Sequence, residues 1–77
     1  MTAAIEDLPE IIAKALHVAP AQVTSTLRMG DIPEWDSVAH LGLVVDIESA
    51  YGVAFSAEEI MDLTSVKAFS DRLARAR

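Results

Sequence analysis

Ser37 is the residue of this sequence that is best placed for chemistry. It follows Asp36 where a loop containing Gly30 and Pro33 gives way to a periodic apolar segment. Asp36 is a favourable N-cap, because its carboxylate can accept hydrogen bonds from the unpaired amides of a first helical turn. Ser37 would then lie at the positive end of a helix dipole, where a phosphate ester is electrostatically favoured and has amide donors nearby.

Three kinds of function fit a serine in this position. As part of an ordinary capping pair, Ser37 needs no further role, and the protein would be an unmodified acidic helical interaction module. An enzyme would use Ser37 as nucleophile and His40 as base, since residues three apart share a helix face. No third group that would orient the histidine is evident, and a small helical bundle offers no deep pocket. In the third reading, Ser37 is a covalent attachment point.

The elements that must position Ser37 are helices. Alanine, leucine and glutamate are frequent, and no alternating run of β-branched residues indicates a sheet. We therefore predict an all-α fold, a small four-helix bundle with a long loop between helices 1 and 2 and a short third helix. The first predicted helix runs from about Leu8 to Leu16, with Asp7 as its cap and Pro9 in its first turn, and the second runs from about Ser37 to Tyr51 and is ended by Gly52. The third begins after a cap at Ser56 and ends near Leu63, and the fourth contains the apolar stripe Val66, Phe69 and Leu73.

Residues 17 to 36 form a connection of about twenty residues, which is long for two neighbouring helices. Its apolar residues are spaced as anchors that could insert into the bundle: Val18, Val23, Leu27, Ile32 and Trp35. Trp35 lies two residues before Ser37, so a buried indole would fix the position in which Ser37 is presented. Filling the core is the alternative role for this tryptophan.

Length and composition limit the remaining possibilities. A chain of 77 residues is expected to form one domain, spanning 1–77, of modest stability. There is no cysteine for disulfide or thiolate chemistry. No apolar run is long enough to span a bilayer, and acidic residues stand near the start, where a signal peptide would carry lysines. We expect a cytoplasmic monomer.

The charge distribution excludes some partners and favours others. The net charge is −6, and eight acidic residues but no lysine or arginine lie between Met29 and Val66. Nucleic-acid binding needs a basic stripe, so it is not expected. An acidic face around Ser37 would attract proteins with basic patches; a solvated acidic surface without a partner is the alternative. The loop carboxylates do not have calcium-loop spacing, because the required later positions from Asp31 hold Pro33, Trp35 and Gly42. No metal site is predicted.

A longer pattern resembles a known family. The segment Gly30-Asp31-Ile32-Pro33-Glu34-Trp35-Asp36-Ser37-Val38 is followed by Leu43 to Glu48, by Tyr51-Gly52-Val53 and by Phe55 to Ile60. Over roughly residues 5 to 73 this sequence resembles freestanding acyl carrier proteins, in which the serine of an Asp-Ser-Leu motif carries 4'-phosphopantetheine. The resemblance implies that Ser37 is the attachment site and that Asp36 helps to hold magnesium during transfer of the arm. It also implies a carrier that holds acyl intermediates as thioesters and is not itself an enzyme.

The resemblance implies partners as well: a phosphopantetheinyl transferase and acyl-loading and acyl-processing enzymes with basic patches. The expected partner surface on the second helix consists of Val38, Leu41, Val45, Asp46 and Glu48. Two positions depart from the family pattern. Gly42 stands where many members have an acidic residue, and Val38 where leucine is more common. Within the family, the form Trp35-Asp36-Ser37 and the missing acidic residue at Gly42 favour a carrier of a specialised biosynthetic pathway over the housekeeping fatty-acid carrier; an aminoacyl or peptidyl carrier stays open.

Overall fold

The regular secondary structure is helical throughout the part of the chain that a computed structural model describes, residues 3–75. The helices are α1 (Leu8–Leu16), α2 (Ser37–Tyr51), α3 (Ala57–Asp62) and α4 (Val66–Arg75), with 3-10 turns at Ile5–Asp7 and Pro20–Gln22. The predicted all-α architecture is confirmed, including the long connection before α2 and the short third helix. The expected bounds of α1 and α2 are those observed.

One hydrophobic core is formed by α1, α2, α4 and the segments between them. Its members recur at three- and four-residue spacing, as a helical stripe requires: Leu8, Ile12, Ala13 and Leu16 on α1, Leu43, Val44, Ile47 and Tyr51 on α2, and Val66, Phe69 and Leu73 on α4. α3 has no buried residue. Its position therefore depends on its flanking residues and on polar contacts.

The long connection is anchored by its apolar side chains, as predicted. Trp35 is completely buried, Val23 and Leu27 are also in the core, and Val18 and Ile32 pack against it half-buried. A connection of this length would otherwise cost much conformational entropy to order. The end of the loop, directly before α2, is therefore a fixed part of the structure.

Backbone hydrogen bonds tie the same connection to the segment between α3 and α4. The amide of Met29 donates to the Thr64 carbonyl at 2.8 Å, and the amide of Val66 donates to the Leu27 carbonyl at 3.0 Å. Arg28 and Ser65 form an isolated antiparallel bridge between the two segments. These contacts hold the loop against the end of α3 on the side where α2 begins.

α3 is fixed to α4 by an ion pair. The guanidinium of Arg72 donates from Nε to Glu59, and it also lies over the Phe55 ring, 5.3 Å from the centroid. Glu59 closes the predicted capping box: Ser56 Oγ accepts from the Glu59 amide at 3.1 Å, and the Glu59 carboxylate accepts from the Ser56 amide at 3.2 Å. The hydrogen bond from Arg72 and that from the Ser56 amide lower the pKa of Glu59 below its ordinary value of 4.5.

The start of α1 differs from the prediction in one respect. Asp7 is the N-cap residue, but its carboxylate makes no capping hydrogen bond to α1. It accepts instead from the amide of Ala4 at 3.3 Å. The reason is the 3-10 turn at Ile5–Asp7, which puts Asp7 in a helical conformation, with φ −82° and ψ −8°, rather than the extended one that lets a side chain reach forward. The sequence also allows a kinked helical start from Thr2 to Asp7. The structure has the 3-10 turn in this stretch, and Thr2 lies outside the described residues.

Truncation of Trp35 tests the anchoring of the loop. Trp35→Ala should lower the free energy of unfolding by about 3–5 kcal/mol, because it removes a large, fully buried side chain, and that is enough to unfold much of a small domain. Trp35→Phe should keep most of the packing and stay folded. Thermal melts followed by circular dichroism measure both. An unchanged melting temperature for Trp35→Ala would contradict the anchor.

Acidification tests the ion pair at α3. Because the pKa of Glu59 is lowered in the folded state, its carboxylate adds stability above the ordinary value of 4.5 and loses it as the pH falls through the lowered value. Glu59→Gln should therefore melt at a lower temperature than the wild type at pH 7, and the difference should shrink towards pH 3. Glu58→Gln, an exposed neighbour on α3, is the control. A difference that stays constant with pH would contradict this role of the charge.

Candidate functional site

Ser37 is the first residue of α2, and its side chain is exposed. Asp36 is the N-cap in an extended conformation, and its Oδ1 accepts from the amide of Ala39 at 2.8 Å. The predicted cap is confirmed. Asp36 thus supplies the capping oxygen of α2, and the hydroxyl of Ser37 is not needed for it.

An apolar groove of about 290 Å³ opens beside Ser37, between the start of α2 and α3. It is lined by Met29, Ser37, His40, Leu41, Ile60, Met61 and Thr64. Sequence reasoning missed the contribution of the loop and of α3 to this site. The adjacent apolar pair Ile60 and Met61 was a usable signal, because neighbouring residues point about 100° apart around a helix, so that a helix covered on one side leaves one of the two exposed.

His40 lies behind the groove and is only 5% exposed. Its Nδ1 accepts from Nε1 of Trp35 at 3.1 Å, and its Nε2 lies 2.9 Å from the carbonyl oxygen of Ile60. An indole nitrogen can only donate, so Nδ1 is the unprotonated nitrogen and Nε2 carries the proton that it donates to Ile60. Both ring nitrogens are engaged. The considered pairing of Ser37 with His40 as nucleophile and base is therefore wrong.

The outer side of α2 carries an exposed apolar patch. Val38, Leu41 and Val45, three residues of the predicted partner surface, are 78%, 59% and 61% exposed, and Met61 of α3 is 78% exposed. We call these four residues the outer patch. Since α2 buries a separate stripe on its inner side, these side chains are not required for the core. Met61 was not predicted, because the relative placement of α2 and α3 is not readable from sequence.

The two carboxylates of the predicted partner surface have different surroundings. Asp46 is exposed. Glu48 is half-buried, and its Oε2 accepts from the amide of Phe55 at 2.7 Å, so it fixes the chain between α2 and α3. Gly42 lies on the exposed side, and a Cβ added there would meet no atom within 4 Å. Packing within the described part of the chain therefore does not require glycine at this position.

Within residues 3–75, no three or more histidine, cysteine, aspartate or glutamate side chains come together as a metal site would require. Among the helices of this range, none combines the length and the apolar character that crossing a bilayer demands.

Comparison with known proteins gives a family match. The family model described as "Phosphopantetheine attachment site" matches residues 6–73 of the 77-residue chain. The search of curated proteins found no match. Members of the matched family bind 4'-phosphopantetheine covalently on a serine and interact with phosphopantetheinyl transferases and biosynthetic enzymes. Because the match covers nearly the whole chain, the protein belongs to the phosphopantetheine attachment-site family and is a carrier protein, not an enzyme.

Proposed function

We propose that Ser37 is the serine that carries 4'-phosphopantetheine. The main observation in support is that the serines directly before α3 and α4 cap these helices with their hydroxyl groups, whereas Ser37 caps no helix. Ser56 Oγ accepts from the Glu59 amide and Ser65 Oγ accepts from the Ala68 amide at 3.0 Å. At α2 Asp36 does the capping, and the exposed Ser37 lies in the first turn, whose free amides and dipole favour a phosphate.

The residues around Ser37 fit such a group and an apolar cargo. The groove beside Ser37 is lined mainly by apolar side chains, which suit an acyl chain better than a charged aminoacyl group, because an amine would lose hydration there. When bound, the arm supplies a thiol on which an acyl group is held as a thioester. We propose acyl intermediates of a specialised biosynthetic pathway in the cytoplasm as the cargo.

Asp36 has a second proposed role, beside its cap. One of its oxygens is engaged by the amide of Ala39, and carboxylate oxygens are ligands that magnesium prefers. Asp36 would contribute to holding magnesium while the arm is transferred to Ser37, with the remaining ligands supplied by the transferase and its substrate.

The outer patch and the acidic residues around it form the proposed partner surface. Solvated apolar side chains next to a functional serine are typical of an interaction site, and Asp46 would pair with basic residues of a partner at its rim. Glu48 is the weaker candidate of the two carboxylates, because its oxygen is engaged by Phe55. At Gly42 the missing side chain lets a partner approach the backbone of α2. The glycine costs about 1 kcal/mol of helix stability relative to alanine.

Modification in vitro tests the attachment site. The purified protein is incubated with coenzyme A, magnesium and a broad-specificity phosphopantetheinyl transferase, and its intact mass is recorded. The wild type should gain the mass of one phosphopantetheine, and Ser37→Ala should gain none. Ser49→Ala removes another exposed serine of α2 and should be modified like the wild type. No gain with several transferases, or a gain that survives Ser37→Ala, would refute the assignment.

Charge reversal at Asp46 tests the partner surface. Asp46→Lys should reduce the association rate with the transferase several-fold at low salt, because it replaces an attractive charge by a repulsive one, and the effect should weaken as salt screens it. Glu10→Lys makes the same charge change at an exposed position on α1. Surface plasmon resonance gives both rates. Equal effects of the two variants would mean that the association rate depends on the net charge of the protein and not on the position of Asp46, which would contradict the proposed partner surface.

A further inference from the structure

Two hydrogen bonds in series connect three separate segments at the site. The indole of Trp35, at the end of the long loop, donates to Nδ1 of His40 on α2, and Nε2 of His40 donates to the carbonyl of Ile60 on α3. Two aromatic rings also flank the imidazole: its centroid lies 6.1 Å from that of Trp35, with the planes 25° apart, and 6.0 Å from that of Phe69, with the planes 47° apart. The ring can therefore not turn without losing both hydrogen bonds.

The carbonyl of Ile60 has a particular need for this contact. Ile60 lies within the last four residues of α3, whose carbonyls have no partner inside the helix. α3 has no fully buried residue, although Ile60 packs half-buried against the core, so its placement depends on its flanking residues and on polar contacts. The ion pair of Glu59 with Arg72 holds it to α4, and the imidazole of His40 holds it to α2.

The position of Ser37 makes this arrangement relevant to the site. Ser37 lies between Trp35 and His40 in the chain, and it lines the groove together with His40, Ile60 and Met61. The imidazole of His40 thus connects α2, which presents Ser37, with α3, which forms the opposite wall of the groove. The hydrogen bond between His40 and Ile60 joins these two walls of the groove.

We propose that His40 is a positioning residue for the modification of Ser37. It couples the end of the loop to α3 and holds the two walls of the groove in the arrangement that the transferase meets. This inference rests on the proposed function of Ser37. It assigns no chemistry to the imidazole, because both of its nitrogens are engaged within the fold.

The chemistry of the two contacts defines which replacements can work. The side chain must accept a hydrogen bond from the indole of Trp35 and donate one to the carbonyl of Ile60. A glutamine amide has both an acceptor and donors, whereas leucine has neither. His40→Leu should therefore leave both partners unsatisfied and release α3, while His40→Gln should keep the coupling in part.

The kinetics of phosphopantetheine transfer to Ser37 test this positioning role of His40. With the transferase, kcat/KM for His40→Leu should fall about tenfold or more below the wild-type value, and His40→Gln should recover at least half of the loss on a logarithmic scale. Circular dichroism establishes that each variant is folded. If His40→Leu does not fold, Trp35→Phe takes its place, because it removes the indole N–H and keeps an aromatic ring; it should also lower kcat/KM. A wild-type rate in the folded leucine variant, or no recovery with glutamine, overturns the proposal.

Nuclear magnetic resonance of the unmodified protein separates this inference from the proposed function. Long-range proton–nitrogen spectra of the wild type should show His40 protonated at Nε2 and unprotonated at Nδ1. The amide signals of Ile60 and Met61 should shift strongly in His40→Leu and weakly in His40→Gln. If these results hold but the wild type is never modified, the proposed function of Ser37 fails while the coupling stands. The opposite tautomer, or unshifted α3 signals in His40→Leu, overturns the coupling itself.

Discussion

A buried indole N–H needs a hydrogen-bond acceptor, and this requirement determines the contacts between the segments around Ser37. Trp35 is completely buried, and leaving its N–H unpaired there would cost about 1–3 kcal/mol. His40 is the acceptor. To accept, the histidine must be buried in its turn, and its second nitrogen then needs a partner of its own, which is the carbonyl of Ile60. The burial of one large side chain thus fixes a loop, a helix start and the end of another helix.

The helices of this fold are held in two different ways. α1, α2 and α4 share an apolar core, in which each side chain has many neighbours and no single contact is decisive. α3 packs against the core through the half-buried Ile60 and depends more on directional contacts, made by Arg72, by His40 and by the backbone bonds between the long loop and the segment after α3. Directional contacts define an orientation more sharply than apolar packing does, but each is lost completely when one partner is removed. The wall of the groove formed by α3 is therefore sensitive to the loss of single polar contacts.

The bounds of α1 and α2 were predictable because local chemistry marks them. Pro9 suits a first turn, Asp36 caps by its own side chain, and Gly52 adopts the left-handed conformation, with φ 65°. The burial of Trp35 was also predictable, since a loop of that length needs an anchor.

The inner face of α2 was not predictable in the same way. Apolar residues occur on both sides of this helix, so their spacing alone does not indicate which stripe is buried. Val38, Leu41 and Val45 were expected on the partner surface and are exposed, whereas His40 was considered as a possible base and is buried. Ile60, which accepts from His40, is 20 residues away on α3. Phe55, whose amide donates to Glu48, is 7 residues away, just before α3. Such contacts depend on tertiary packing and leave no local signal.

The outer patch also bears on how copies of this protein meet one another. Exposed apolar side chains on a small domain favour self-association. In a twofold-symmetric pair the same surface meets itself, so an edge that carries only acidic residues meets another acidic edge. Exposed acidic residues occur in the segments that carry the patch or lead into it, namely Glu34, Asp46, Glu58 and Asp62, and those of one copy would repel those of the other. The same charges attract a basic surface. The acidic residues therefore disfavour association of the outer patch with another copy of this protein and favour its association with a different, basic protein.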